Sequence, residues 1–165
     1  MSVIKSKRHP SKFEVIKHAS ELRISLTGLI VRNFGLKDTY VIARRKYRIG
    51  KELDPIMPKH AYILVKTKQK INNLASILES NVRGANTIYP TTLEECVKRR
   101  DYQNSAIVNC EQLYSELQYI TTMFEVDING FRQYVEGIDR QITLIKAWKT
   151  SDNHKFKGIL AMGDI

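Results

Sequence analysis

Cysteine, proline and glycine are scarce in this chain, at 2, 4 and 8 of 165 residues. So few glycines and prolines leave little punctuation for a turn-rich β fold and favour long helices. The two thiols, Cys96 and Cys110, cannot supply a disulfide framework. On one helix they would stand about 21 Å apart along the axis, far beyond the reach of an S–S bridge. Two thiols without a framework fit a reducing compartment. No run approaches the roughly 20 apolar residues that a bilayer-spanning helix needs. The opening Met1-Ser2-Val3-Ile4-Lys5-Ser6-Lys7-Arg8 is basic but leads into no apolar stretch, so it is no secretory signal. The expectation is a soluble, cytoplasmic protein with no membrane partner.

Residues that advertise chemistry are also few. His9, His18, His60 and His154 are scattered, and none has a metal-ligand neighbour at motif spacing. There is no HExxH, no CxxC and no Glu-x-x-His pair of the di-iron bundles. A Gly-rich phosphate loop and a nucleophile elbow are missing as well. Cys96 has only Lys98, Arg99 and Arg100 nearby to lower its pKa, and it reads as a structural thiol before a nucleophile. Cys110 falls on an apolar stripe. No catalytic residue, metal site or cofactor is expected, and the chain reads as a non-enzyme.

Acidic residues are sparse over the first two-thirds of the chain. Residues 1–60 carry 14 lysines and arginines against 5 acids, and residues 61–100 carry 7 against 3. Residues 101–165 reverse the balance, with 6 against 9. The formal charge of +10 therefore comes from one part of the chain. Such a charge points to an anionic partner, with nucleic acid first and an anionic membrane surface second.

What is present in abundance is helical periodicity. The sharpest signal is the stretch Ala85-Asn86-Thr87-Ile88-Tyr89-Pro90-Thr91-Thr92-Leu93-Glu94-Glu95. Pro90 donates no backbone hydrogen bond and turns Tyr89 away from helical geometry, so a helix ends just before them. Thr91 and Thr92, each with a glutamate three residues later, have the spacing of a capping box. A first helix is predicted from a Ser11 cap to Phe34, with Phe13, Ile16, Ala19, Leu22, Leu26, Leu29 and Ile30 on its apolar stripe and Gly35 at its end. A second is predicted over about Lys59–Asn86 through Ile63, Thr67, Ile71, Leu74, Leu78, Val82 and Ala85. A third runs to about Phe124, with Leu93, Val97, Ile107, Cys110, Leu113, Leu117 and Ile120 inward; its polar stretch Lys98–Ser105 is expected to project beyond the core or to face a partner. After an Asp127 cap, a fourth carries Phe131, Val135, Ile138, Ile142, Ile145 and Trp148. The expected organisation is an N-terminal arm over residues 1–11, a helical domain over 12–149 and a flexible tail over 150–165. A basic connector over 35–59 joins the first two helices and includes a short helix around Tyr40–Tyr47. The fold class is all-α, an antiparallel up-and-down four-helix bundle.

Two basic clusters stand out. Arg44, Arg45, Lys46 and Arg48, with Lys51, surround Tyr47 and follow Tyr40; Lys98, Arg99 and Arg100 precede Tyr102. Cations meet phosphates, and an exposed tyrosine stacks on an unpaired base. A solvated helix face is the alternative for either run. No pattern of a groove-reading DNA motif is present, which favours RNA. The tyrosines, Met123 and Trp148 beside the stripes also suit an oligomer, and an assembly module without nucleic-acid binding is the alternative function.

The order of features resembles the accessory variability (Avd) proteins of diversity-generating retroelements, within a four-helix-bundle family that includes proteins encoded in large-subunit rRNA intervening sequences. The stretches that carry it are Ala85–Pro90, Glu94–Arg100, Glu116–Ile120 and Leu144–Asn153, with the opening Ser2–Arg8. The resemblance implies a basic homopentamer of four-helix bundles without catalytic activity. It implies binding to a retroelement reverse transcriptase and its template-containing RNA, in support of mutagenic cDNA synthesis. The connector 35–59 is longer and more basic than in compact members, and both terminal extensions are additional.

Overall fold

The computed structural model describes residues 12–36, 56–124 and 126–163. Among them there is no strand, and the chain is built from four long helices and short helical turns. Helix α1 spans Lys12–Val31, α2 Ile56–Thr87, α3 Leu93–Met123 and α4 Arg132–Lys155, followed by the short α5 at Lys157–Leu160. The arm 1–11, the Ser11 cap, the helix expected around Tyr40–Tyr47 and most of the connector lie outside the described residues.

Local chemistry sets the helix boundaries. At the start of α3, Thr92 is the N-cap: its hydroxyl accepts from the Glu95 backbone N–H at 3.3 Å, and the Glu95 carboxylate accepts from the Thr92 N–H at 3.3 Å. Thr91 adds its own N–H and hydroxyl to the same carboxylate, at 2.7 and 2.8 Å. These bonds, led by the Thr91 N–H, hold the Glu95 carboxyl below its ordinary pKa. Helix α1 stops at Val31, short of the expected Phe34. Asn33, Phe34 and Gly35 take φ values of +52°, +59° and +71°, a left-handed run that no helix can continue. Burial of the Phe34 ring in the core offsets the cost of that backbone. Helix α2 starts at Ile56 and takes Pro58 into its first turn, where a missing N–H breaks no helical bond.

The largest departure is at the C-terminus. The stretch expected as a flexible tail is helical through Lys155, turns at the buried Phe156 and continues as α5 and a three-ten turn at Ala161–Gly163. Trp148, Asp152 and Phe156 follow one another at four-residue spacing on one face of α4. An aspartate in the middle of that series hid the continuing stripe.

The core holds the expected α2 residues Ile71, Leu74, Leu78, Val82 and Ala85, and Ile138, Ile145 and Trp148 of α4. Helix α3 keeps the expected inward face from Cys110 to Ile120 and departs from it over its first turns. Val97 and Leu93 are exposed, while Cys96, Arg99, Gln103 and Ala106 turn inward with Cys110, Leu113, Leu117 and Ile120. Phe13 is exposed too, and Val15 takes its place. Helix α1 packs on α2 and α4, and α3 packs on α2 and α4. Polar partners stitch these seams. Ser20 and Arg23 bond Glu79, whereas Asn33, in the turn after α1, meets Lys68 earlier in α2. Asn81 bonds Asn109, and Lys70 pairs with Glu116. His18 bonds Gln141, a fully buried glutamine that also donates to the Val15 carbonyl. No helix among the described residues is long and apolar enough to cross a membrane.

Glu79 gathers Ser20, Arg23 and Arg83 at 2.7–3.0 Å. The Ser20 hydroxyl, then the two guanidinium groups, hold its carboxyl down at about 2. Its stabilisation is therefore complete above the ordinary value of 4.5 and is lost as pH falls from there through about 2. Replacement Glu79→Gln should cost about 2 kcal/mol in urea unfolding at pH 7. The gap to wild type should close over that acid window, whereas a gap that stays constant with pH contradicts this assignment.

Candidate nucleic-acid interface

Consecutive residues on an α-helix point 100° apart, so three adjacent cations cannot share one face. The triplet Lys98-Arg99-Arg100 is divided accordingly. Lys98 is exposed. Arg99 is turned into the protein and is only 6% exposed. Arg100 lies half-buried beside α4 and donates to the Asn153 side chain.

Arg99 is the hub of a buried polar layer. Its Nε and one Nη donate to the two Asp152 carboxylate oxygens at 2.7 and 3.0 Å. Its other Nη donates to the backbone carbonyls of Ala85 and Ile88, at 3.0 and 2.6 Å. Those carbonyls sit where α2 ends, the negative pole of its dipole. Gln103 donates to Asp152 at 2.7 Å. The Trp148 ring lies 4.8 Å from the guanidinium carbon, and Phe156 lies 5.8 Å from it. This layer corrects the expectation that Lys98–Ser105 projects beyond the core: the polar stretch is internal at Arg99 and Gln103. Arg99 is thus spent on partners within the chain and is not placed to neutralise a phosphate. Tyr102 is likewise engaged, its ring packed beside Gly84, where an added Cβ would meet it at 3.0 Å. Arg44, Arg45, Lys46, Arg48, Lys51, Tyr40 and Tyr47 lie outside the described residues.

A different set of cations comes together around this end of the molecule. Lys149 bonds Asn104 across the α3–α4 seam at 2.5 Å, one turn away from the Arg100–Asn153 bond. Lys146 stands one turn before Lys149 on α4, and Lys157 opens α5 just past the turn at Phe156. Among the described residues, none of Arg100, Lys146, Lys149 and Lys157 has an ion-pair partner. Pro90, Arg100, Asn153, Phe156 and Leu160 line a shallow cleft at the end of this seam. Beside it, Lys155 sits over the exposed Tyr89 ring. The sequence marked runs of adjacent cations, whereas this seam is joined by two single pairs, Arg100 with Asn153 and Asn104 with Lys149. The available signal was the spacing Lys146, Lys149, Asn153 along α4.

Both thiols are internal. Burial pushes Cys110 up to about 12 and raises Cys96 as well, the latter opposed in part by Arg100. Neither is primed as a nucleophile. Among the described residues no cluster of histidine, cysteine, aspartate or glutamate is arranged to hold a metal ion.

Removing Arg99 while leaving Asp152 buried should destabilise the protein by about 3–5 kcal/mol, because the carboxylate loses its counter-charge. Arg99→Met should therefore lower the melting temperature sharply, and adding Asp152→Asn to it should restore part of the loss. A melting temperature unchanged by Arg99→Met would contradict the structural role. Both thiols should resist alkylation at pH 8 in the native protein and react fully in denaturant; rapid native labelling of Cys110 would contradict its burial.

No protein-family model matches this chain, and no curated protein or solved structure matches it significantly.

Proposed function

We propose that this chain is a non-catalytic, nucleic-acid-binding accessory subunit that partners a retroelement reverse transcriptase and its template RNA and supports mutagenic cDNA synthesis. The observation that carries the nucleic-acid reading is the basic seam of Arg100 and Lys149 between α3 and α4, with Lys146 and Lys157 near them in the chain and none of the four ion-paired among the described residues. Phosphates suit it because none of these cations has a carboxylate paired to it among the described residues, on a chain of net charge +10. The polymerase partner rests on the resemblance to accessory variability proteins. Within this reading the architecture is an antiparallel up-and-down four-helix bundle. Its support is that seam partners run in opposite chain order, as where Ser20 meets Glu79 and Asn33 meets Lys68.

One observation favours the assembly reading as a companion or an alternative. Val97, Val108 and Tyr119 are exposed and stand eleven residues apart, a spacing that aligns side chains along a nearly straight line on a helix. Such an apolar line suits a second copy of this chain, and the resemblance implies a homopentamer.

Binding of the full chain to a structured RNA should weaken steeply with salt, since each phosphate contact releases counterions. Duplex DNA measured alongside should bind more weakly. The double charge reversal Arg100→Glu, Lys149→Glu should reduce the slope of log K against log salt by about one per contact removed, with helicity by circular dichroism unchanged. RNA binding unaltered by the double reversal would remove the seam from the site. Oligomers in sedimentation without any salt-sensitive RNA binding would leave the assembly module as the function.

A further inference from the structure

We infer that Tyr89 is a stacking platform for an unpaired base, so that this interface selects single-stranded RNA over a duplex; the inference rests on the nucleic-acid reading above. Tyr89 occupies the turn between α2 and α3 and is 63% exposed, although its neighbour Pro90 is buried. A large ring left so open is normally mobile. This one is held from two directions. The Phe156 ring meets it at 86° with centroids 5.8 Å apart, and the Lys155 ammonium lies 4.7 Å from its centroid. Phe156 is itself fixed, since it is buried against the Arg99 guanidinium.

An exposed aromatic ring that is already immobilised loses little entropy when a base stacks on it. The cations around it supply the second half of single-strand recognition. Lys155 lies over one face of the ring, so that a base stacks on the opposite face or takes the place of the ammonium, and Arg100 shares a cleft with Pro90 and Phe156. A base within a duplex has both faces covered by its neighbours, so only an unpaired base can use the platform. Tyr62 offers the nearest contrast. It also has a lysine over its ring, Lys66 at 5.5 Å, but that lysine is on its own helix one turn away, and among the described residues no second ring packs on Tyr62.

The test is fluorescence anisotropy with the full chain, an unstructured single-stranded RNA and a blunt RNA duplex of equal phosphate number. Wild type, Tyr89→Phe and Tyr89→Leu are compared. The wild type should bind the single strand more tightly than the duplex. Tyr89→Phe keeps the π-face and should match it. Tyr89→Leu should bind the single strand about tenfold more weakly and the duplex unchanged. A 2-aminopurine base in the single strand should be quenched by wild type and Tyr89→Phe but not by Tyr89→Leu. Unchanged single-strand binding by Tyr89→Leu would overturn the platform while leaving the nucleic-acid reading intact. Equal losses for both RNAs would also overturn it, by assigning Tyr89 a purely structural part. No RNA binding by the wild type at low salt would overturn the nucleic-acid reading and this inference together.

Discussion

A guanidinium removed from water needs a carboxylate and further acceptors around it, or the segment that carries it comes apart. Arg99 meets that demand with Asp152 and two carbonyls at the end of α2. Four hydrogen bonds from one side chain join three stretches that are remote in sequence. The end of α2, the second turn of α3 and the last turns of α4 are all fixed by it. The turn through Tyr89 and Pro90 is held between them, and Phe156 closes over the guanidinium from the C-terminal side. Remove this pairing and the C-terminal helices lose their dock.

The same contact shapes the surface. With Arg99 pointed inward, helical geometry sends Lys98 to one side and Arg100 to the other. Arg100 then meets Asn153 and begins the α3–α4 seam, which Lys149 of α4 extends. The buried cation thus orients the exposed ones. It also fixes Phe156, and through it the Tyr89 ring at the edge of the same seam. Core and candidate interface are continuous at this end of the protein, so the stability of one and the geometry of the other are coupled through Arg99.

Much of the helical framework was legible in the sequence because it follows from rules that act over a few residues. Pro90, the Thr92–Glu95 box and the 3.6-residue stripe of α2 each specify a boundary or a face locally. The errors arose where a distant partner decides. Arg99 and Gln103 look like surface residues until Asp152, some fifty positions away, is brought beside them. Because they are polar, the inward face of α3 was assigned to Leu93 and Val97 in place of Cys96 and Arg99. Asp152 likewise masked the continuation of α4 to Phe156. The left-handed backbone of Asn33 and Phe34 before the expected Gly35 was equally invisible, since only burial of Phe34 makes it tolerable. Among the candidate site residues, the basic character of the α3 start was legible. The division of Lys98, Arg99 and Arg100 between surface and interior, and the contribution of Lys146, Lys149 and Lys157, needed the helix pairing.

The proposed site for nucleic acid is the end of the molecule organised by Arg99. Photo-crosslinking tests it most directly, with the full chain irradiated on a 4-thiouridine RNA and the adducts mapped by mass spectrometry. The account predicts adducts in two segments that are distant in sequence, 88–100 and 146–157, at salt concentrations where the complex is intact. Adducts confined to other parts of the chain, with both segments clear, would contradict it.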